Sequence, residues 1–407
     1  MGDGMRARGV SDRSRQRAMC TSVLPLFLIL ADPSRLGLAS TAAAGEEYGE
    51  MRSPSIMRSL SEGPAAAGNP AVELAEQWQG GDGKFGLGSD WRFSIQQENN
   101  DGGLSVEDWR GEACINQEKQ RQVHEILEKR RVTPAGQKKV AACLRTKDFG
   151  RFLPEWLAYH YAIGVDEVSV YDDNSVDNTS EILRPFVNAG LVRYVLHVVD
   201  GLVAEMVPLN RCLSYYLERK ANDPEAAPDW LLFHDTDEYV YPVDTNKTIL
   251  QSLENHSSTC CVLVPRIQYG SGGYSETPRG LMIDNFLAHQ TFNSKRANPK
   301  VMVNLEPKES DHVAPRLRSM HNADGCECHQ LTITEMRINH YLGSHGGYVS
   351  RLAHYWPRVV AGERDAMHRF RSRDVNDATS DTITHWSCAT REVLFRVAHG
   401  LDLETGL

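Results

Sequence analysis

The sequence of 407 residues has no apolar run of about 18 residues, the length that a helix needs to cross a lipid bilayer. It also lacks an excess of positive charge, because 54 acidic residues against 44 basic ones leave a formal net charge of -10. A general nucleic-acid binder needs a basic surface to neutralise phosphates, so we expect no nucleic-acid partner. With 41% hydrophobic and 24% charged residues, the composition is that of a globular protein with a sizeable core.

The nine cysteines follow no zinc-binding pattern. Cys326 and Cys328, in "CEC", are one residue closer than the CxxC spacing of zinc sites, and Cys260 and Cys261 are adjacent. An odd count also does not give a clean disulfide framework. We therefore expect no zinc site, and some structural disulfides if the chain enters an oxidising compartment.

The N-terminus has the order of features that secretory signal peptides share. Five arginines between positions 6 and 17 precede the apolar segment "AMCTSVLPLFLILA", and the small-residue stretch "ASTAAAG" follows it. We expect a signal peptide or a short signal-anchor over residues 1–31, although Pro25 and the length disfavour an anchor. A disordered tail with an apolar patch and a mitochondrial presequence are the alternatives.

The N-terminal segment sets the expected location. The chain would enter the secretory pathway, with the Golgi as the first expectation and secretion as the alternative, and any membrane attachment would be through the N-terminus. Three N-x-[ST] sequons, at Asn178, Asn246 and Asn255, could be used only in that pathway.

Composition and patterning divide the chain into five parts. The signal segment at 1–31 is followed by a flexible, low-complexity stem at 32–112, rich in Gly, Ala, Ser and acids. A charged helical lead-in at 113–137 precedes the main domain at 138–358, and residues 359–407 form a C-terminal extension.

Strand-like and helix-like segments alternate from Lys139 onward. "KVAACLRT", "DEVSVYDD", "LVRYVLHVV" and "WLLFH" are typical of strands, and the segments between them carry helical patterns. This order predicts an α/β fold with a mostly parallel central sheet and helices on both faces. Ligands of such sheets bind at the carboxyl ends of the strands.

Three carboxylates follow the last of these strands, in "WLLFHDTDEYVYP". Asp235 and Asp237 stand one residue apart where the chain leaves the strand, so both can face one ion. Hard oxygen ligands favour Mg²⁺ or Mn²⁺, and such an ion would neutralise a diphosphate leaving group. A solvated turn is the alternative. The apolar segments on both sides make the turn less suitable, because unpaired buried carboxylates are strongly disfavoured. Glu238 is expected to orient a ligand or a neighbouring loop.

A second polar cluster, "YDDNSVDNT", follows another strand. Asp172, Asp173, Asn174 and Asp177 can accept hydrogen bonds from a ribose or a uracil. The alternative is an Asx-type turn with a helix N-cap, Asp177 or Thr179 serving as the cap.

Basic and histidine residues complete the candidate site. Arg145 and Lys147 follow the first strand and are candidates to hold phosphate, although a solvated basic edge is an equal alternative. His340, and after it His321, are candidate metal ligands, because a neutral imidazole completes many metal sites. A histidine with a structural role is the alternative at each position.

These motifs together resemble glycosyltransferase family 92 and its relatives with the GT-A fold. Five residues of the segment after the first strand match the family: Lys147, Glu155, Trp156, Tyr159 and His160. The strand-end turn (Asp172, Asn174, Ser175, Asp177), the DxD motif (Asp235, Asp237, Glu238) and the late "NHY" (Asn339, His340, Tyr341) match as well. The sequence departs from the family pattern in two places: Asp148 and Phe149 replace an asparagine and a glutamate, and Gly343 replaces a lysine.

The resemblance implies a GT-A fold, Mn²⁺ held by the DxD motif, and a UDP-sugar donor. It also implies an inverting transfer, with galactose as the expected sugar, to a hydroxyl of a glycan or glycoconjugate acceptor. Inversion needs a general base. Asp284 and Glu276 are weak candidates for it.

Two other readings stay open. A nucleotidyltransferase acting on nucleotide sugars usually has a Gly-rich phosphate loop, whereas "LRTKDFGR" contains only Gly150. A catalytically degenerate, glycan-binding protein of the same fold is the other, since Phe149 and Gly343 replace family residues.

Overall fold

The computed structural model describes residues 114–131, 139–197, 206–293, 298–306, 315–325, 327–355 and 363–403. All of them belong to one compact unit. The expected signal segment and stem, at 1–31 and 32–112, lie outside the described residues. Among the helices of the described ranges, none has both the length and the apolar character needed to cross a membrane.

The helices and strands are numbered in chain order. The α-helices are α1 Gln117–Arg131, α2 Leu153–Ala162, α3 Thr179–Asn188, α4 Met206–Asn222, α5 Ile249–Leu253, α6 Met282–Asn285, α7 His345–Tyr355, α8 Glu363–Arg373 and α9 Ser387–His399. The first strands are β1 Val140–Thr146, β2 Glu167–Asp172, β3 Val192–Leu196, β4 Trp230–His234, β5 Glu238–Pro242, β6 Cys261–Val264 and β7 Arg266–Tyr269. The remaining strands are β8 Ala288–His289, β9 Lys300–Asn304, β10 Arg316–Ser319, β11 Asn322–Asp324, β12 Cys328–Gln330, β13 Met336–Tyr341 and β14 Ala378–Thr379.

Seven strands form the central sheet, in the order β12-β6-β9-β4-β1-β2-β3. The strands β3, β2, β1 and β4 are parallel, and so are β6 and β12. Only β9, among the strands of this sheet, runs antiparallel to its neighbours. The prediction of an α/β fold with a mostly parallel sheet is confirmed.

The central sheet is covered on both faces. Alternate residues of a strand point to opposite faces, and those of β1 enter two different clusters. Val140 and Ala142 pack with helix α2, whereas Ala141 and Cys143 pack with helix α4. An uninterrupted apolar strand is the sequence that a sheet buried on both faces requires.

A second sheet, in the order β14-β8-β7-β13-β5, continues from the end of the central one. Its strand β5 begins at Glu238, directly after the DxD motif, and pairs antiparallel with β13. Helix α2 holds β5 in place, because Trp156 Nε1 donates to the carbonyl of Glu238 (2.9 Å) and the Tyr159 hydroxyl to that of Val240 (3.0 Å).

The C-terminal region packs into the same domain. Helix α9 lies against α1 and α2, and β14 pairs with β8. The disulfide Cys114–Cys388 joins the start of the lead-in to α9. Two more disulfides, Cys143–Cys212 and Cys261–Cys328, link β1 to α4 and β6 to β12.

Candidate active site

The two acidic clusters lie at one edge of the central sheet. In the register of the strands, Leu144 of β1 is beside His234, the last residue of β4, and Thr146 is beside Asp172, the last residue of β2. The carboxyl ends of β1, β2 and β4 are therefore level. This edge is where ligands bind in open α/β sheets.

A buried lysine meets the DxD motif from strand β9. Lys300 Nζ lies 2.6 Å from Asp235 Oδ2 and 2.9 Å from Glu238 Oε2, and its side chain is 1% exposed. Arg266 bonds the other oxygen of Glu238 at 2.8 Å, and the amide of Asp235 donates to Oε2. Glu238 thus fixes the start of β5 by binding two cations, as expected for a residue that orients its neighbours.

Asp237 has different partners. Its Oδ2 accepts a hydrogen bond from Arg351 of helix α7 (3.0 Å) and lies 3.5 Å from His340 Nε2. Its side chain is 20% exposed. Burial raises the pKa of Asp237, but His340 and Arg351 outweigh burial and lower this pKa to about 2. Asp237 is therefore ionised at neutral pH.

The positive partners of the acidic cluster are side chains of the chain itself. Lys300, Arg266 and Arg351 face Asp235, Asp237 and Glu238, so three cations meet three carboxylates. Burial lowers the pKa of Lys300, but the two carboxylates more than restore it, and the ammonium stays charged. The sequence suggested a metal ion because buried carboxylates need a positive partner. These three side chains supply that partner, so the charge of the cluster does not by itself require a metal ion.

Sequence reasoning missed all three cations. Lys300 opens the segment "KVMVN", where an isolated lysine before a buried strand is unusual, since lysine is almost never fully buried without a partner. That position was the available signal for Lys300.

The donor atoms around Asp237 nonetheless fit a divalent cation. The side-chain amide of Gln268 donates to the carbonyls of Tyr269 and His340, so its oxygen faces His340 Nδ1 as an acceptor (2.7 Å). Because Nδ1 of His340 is engaged by Gln268, Nε2 is the ring nitrogen that faces the Asp237 carboxylate, 3.5 Å from Oδ2. An imidazole nitrogen and a carboxylate oxygen placed side by side are ligands that one divalent cation can bind.

The metal ligands are not assembled as a ready-made cluster. Across the described residues, no group of three or more His, Cys, Asp or Glu side chains is close enough to hold a metal ion. Asp235 is 43% exposed and bonded to Lys300. Nδ1 of His321 is engaged by the carbonyl of Pro299 (2.7 Å).

Asp172 is engaged within its own loop. Its Oδ1 accepts the amide of Ser175 (2.8 Å), an Asx-type turn, and its Oδ2 accepts the hydroxyl of Tyr194 (2.7 Å). Asn174 has a φ of 54°, in the left-handed region, and its side chain is exposed at the loop tip.

Asp177 ties this loop to the one after β1. It accepts the amides of Gly150 (3.0 Å) and Thr179 (3.0 Å), and the second bond closes an Asx turn directly before α3. The N-cap position itself is Asn178, so neither Asp177 nor Thr179 is the cap, and a contact between Asp177 and a nucleotide stays a prediction.

Arg145 and Lys147 face the β2 loop. Arg145 lies 2.5 Å from Asp173 Oδ2, and Lys147 Nζ donates to the carbonyl of Asp173 (2.8 Å). The pair Arg145–Asp173 is partly exposed, which leaves both groups within reach of a ligand.

The two candidate bases have different surroundings. Asp284 is bound by Ser387 and by Arg391 (2.6 Å) of helix α9. Glu276 is exposed, and its carboxylate lies against Gly346, where a Cβ would come within 2.9 Å of Glu276 Oε2. Helix α7 carries both Gly346 and Arg351, and Arg351 contacts Asp237. Of the two candidate bases, Glu276 is therefore the one that lies against the helix contacting the acidic cluster.

Behind the site, His160 gives a pH-dependent prediction. It is fully buried, its ring 3.8 Å from that of Trp156, and its Nε2 has no partner in the described part of the chain. Burial, and then His234, lowers the pKa of His160 well below its ordinary value. The unfolded chain therefore takes up a proton below about pH 6.5 that the folded protein refuses. The stability from neutral His160 is present above that pH and is lost as the pH falls.

We expect His160→Phe to remove this dependence. The difference in free energy of unfolding between the variant and wild type should shift in favour of the variant by about 2 kcal/mol as the pH is lowered from about 7.5 to about 5. Urea unfolding at the two pH values is the measurement. A difference that does not change with pH would contradict the assignment of His160 as a buried neutral group.

The fold and the site define an α/β protein in which charged side chains gather at the carboxyl ends of the central strands. The sequence model of glycosyltransferase family 92 matches residues 138–383. This match extends over more than half of the chain, and the chain belongs to glycosyltransferase family 92. The family resemblance is thereby confirmed.

Two plant proteins of this family are similar to the chain. One, from Ricinus communis, is 27% identical over 117 residues, which are 29% of this chain and 19% of that protein. The other, from Oryza sativa subsp. japonica, is 26% identical over 148 residues, 34% of this chain and 23% of that protein. The chain therefore spans only about a fifth of the length of these relatives.

A solved structure is also similar in part. It is glucosyl-3-phosphoglycerate synthase from Mycobacterium tuberculosis, crystallised with Mn²⁺, UDP and glucosyl-3-phosphoglycerate. It is 19% identical, the likeness covers 28% of this chain and 38% of that one, and the TM-score is 0.19. A TM-score of this size does not establish a shared fold.

Proposed function

We propose that the protein is a GT-A glycosyltransferase that moves a sugar from a UDP-sugar to a hydroxyl of a glycan or glycoconjugate acceptor. Family membership supports the reaction class. The observation that carries the proposal is the charged edge of the sheet, where His340 and Arg351 both contact Asp237. Galactose is the sugar and inversion the outcome that the resemblance to the family implies.

Asp237 and His340 are the proposed holders of Mn²⁺ or Mg²⁺. The ring nitrogen of His340 and the carboxylate oxygen of Asp237 that face each other support this assignment, and Asp235, which is partly exposed, is the third candidate. When bound, the ion would neutralise charge on the diphosphate leaving group. His321 is a further candidate ligand, and its Nδ1 is bonded to the carbonyl of Pro299.

The loops after β1 and β2 are the proposed contacts for the nucleotide. Arg145, Lys147, Asp173 and the exposed Asn174 present charged and amide groups at the same edge. Asp172 and Asp177 are proposed to shape this surface, since their carboxylates bond loop amides.

Inversion requires a group that takes the proton of the acceptor hydroxyl as it attacks the anomeric carbon. We propose Glu276 for this role ahead of Asp284, because Glu276 is exposed beside α7, whereas Asp284 is bound by Arg391. A Glu276→Gln variant that still binds donor but no longer transfers sugar would support the assignment, and full activity would contradict it.

The experiment that tests the function is a screen of UDP-sugars for UDP release, with Mn²⁺ and with EDTA. Release that depends on one sugar and on Mn²⁺ supports the proposal. Glycan binding without any UDP release would point to the degenerate glycan-binding alternative. Release of inorganic pyrophosphate from a nucleoside triphosphate and a sugar phosphate would point to a nucleotidyltransferase.

We also propose that the protein works in the secretory pathway. The disulfides among the described residues support an oxidising compartment. We expect N-glycans at Asn246 and Asn255, which are both exposed, when the chain is expressed in a eukaryotic secretory host. A mass shift on glycosidase treatment, lost in an Asn246→Gln/Asn255→Gln variant, is the measurement. An unmodified mass would argue against passage through the secretory pathway.

A further inference from the structure

Arg351 of helix α7 lies beside three features of the candidate site. Its NH1 is 3.0 Å from Asp237 Oδ2, and its NH2 donates to the carbonyl of Leu342. Its guanidinium stands over the ring of Phe149, 5.5 Å from the centroid. The side chain is 19% exposed, so the group is held on several sides and open on another.

The guanidinium has donors to spare. Of its five N–H groups, the hydrogen bonds to Asp237 and Leu342 use two within the described residues. The side chain is 19% exposed, so the guanidinium is not sealed in the interior. A rigid cationic fork with free donors is the group that binds phosphate oxygens in a bidentate manner.

Gly343 leaves room for this arrangement. A Cβ at Gly343 would lie 3.6 Å from Arg351 NH2, and the glycine has a φ of +77°, which other residues rarely adopt. A long side chain at this position would therefore share the space of the guanidinium. Phe149 and Gly343 are also two of the positions at which the sequence departs from the family pattern. The guanidinium of Arg351 lies beside both residues.

We propose that Arg351 is a donor-binding residue that contacts the diphosphate of the nucleotide sugar. Asp237 and the carbonyl of Leu342 hold the fork, and the face of Phe149 supports it. The inference rests on the proposed function, because it needs a donor with a diphosphate. Under this proposal the diphosphate contacts a positively charged side chain of the protein as well as any bound metal ion.

The test compares ligands that differ only in phosphate. The affinities of UDP and uridine are measured by calorimetry for wild type, Arg351→Ala and Arg351→Lys, with Mn²⁺ and with EDTA. Arg351→Ala is expected to bind UDP about 10–100-fold more weakly and uridine as wild type does, because charge-assisted hydrogen bonds to phosphate are lost. Arg351→Lys should recover part of the loss, since it restores charge without the fork.

The matched control is Arg219→Ala. Arg219, on helix α4, is also a partly exposed arginine in an ion pair, with Glu167 of strand β2 at 2.5 Å. Its loss should change neither the UDP affinity nor the uridine affinity. UDP affinity unchanged in Arg351→Ala, or an equal loss for UDP and uridine, would overturn the inference and leave the proposed function standing. Wild-type protein that binds no UDP would overturn both.

Discussion

Replacing Asp237 by alanine is expected to lower the rate of sugar transfer by at least about 10²–10³-fold, the usual cost of removing a key electrostatic group. Asp237 is the carboxylate that His340 and Arg351 share, so its loss removes the proposed metal ligand and releases the guanidinium. The measurement is UDP release under saturating donor, per folded molecule.

The matched control for Asp237→Ala is Asp229→Ala. Asp229 precedes the same strand at its other end, where it pairs with Lys220 (2.7 Å) and bonds the amide of Lys139. Activity per folded molecule should be retained in this control, because the residue is at the opposite edge of the sheet.

Removal of the metal separates two roles for Asp237. If EDTA and the substitution both abolish transfer, Asp237 acts through the ion. If only the substitution does, Asp237 acts by orienting Arg351, and the metal role is wrong. Activity that neither treatment changes would remove Asp237 from the mechanism.

Replacing Lys300 by methionine is expected to lower the free energy of unfolding by about 3–5 kcal/mol. The reason is that Glu238 is 0% exposed and Asp235 is partly buried, so both lose a charged partner where water cannot fully replace it. The midpoint and slope of urea unfolding give the measurement.

A second buried lysine provides the comparison. Lys220→Met removes the ion pair with Asp229, far from the site. The side chains of Lys220 and Asp229 are 8% and 7% exposed. Both variants should lose stability, but Mn²⁺ should raise the melting temperature more for Lys300→Met than for Lys220→Met, because Lys300→Met frees carboxylate oxygens beside Asp237. If Lys300→Met lowered the free energy of unfolding by less than about 1 kcal/mol, Lys300 would not be the residue that stabilises the buried carboxylates.

The order of strands and helices could be read from the sequence. Apolar strands such as β1 and β4 alternate with helices at short spacing, and that pattern is local. The pairing of β9 and of the strands in the second sheet was not readable, because their partners are distant in sequence. The packing of α9 on α2 was missed for the same reason, since no local pattern shows which helix covers which face.

The candidate site was readable only in part. Asp235 and Asp237 were found because they follow a buried strand, and His340 because it stands in a recognisable segment. Whether Asp172 and Asp177 hold the turn or face a ligand was open in the sequence, since one carboxylate can serve either purpose; in the structure both accept hydrogen bonds from amides of their own loop.

The sequence by itself determined that acidic side chains end two strands of an α/β sheet and that the chain carries the family 92 motifs. Only the tertiary structure decided what meets those acids. Lys300 is 65 residues from Asp235, and Arg351 is 114 residues from Asp237. Local patterns cannot report such pairs, because strand pairing and helix packing bring them together. The tertiary structure thus replaced an expected unbalanced negative charge with a compensated cluster, in which Asp237 and His340, the proposed metal ligands, face each other.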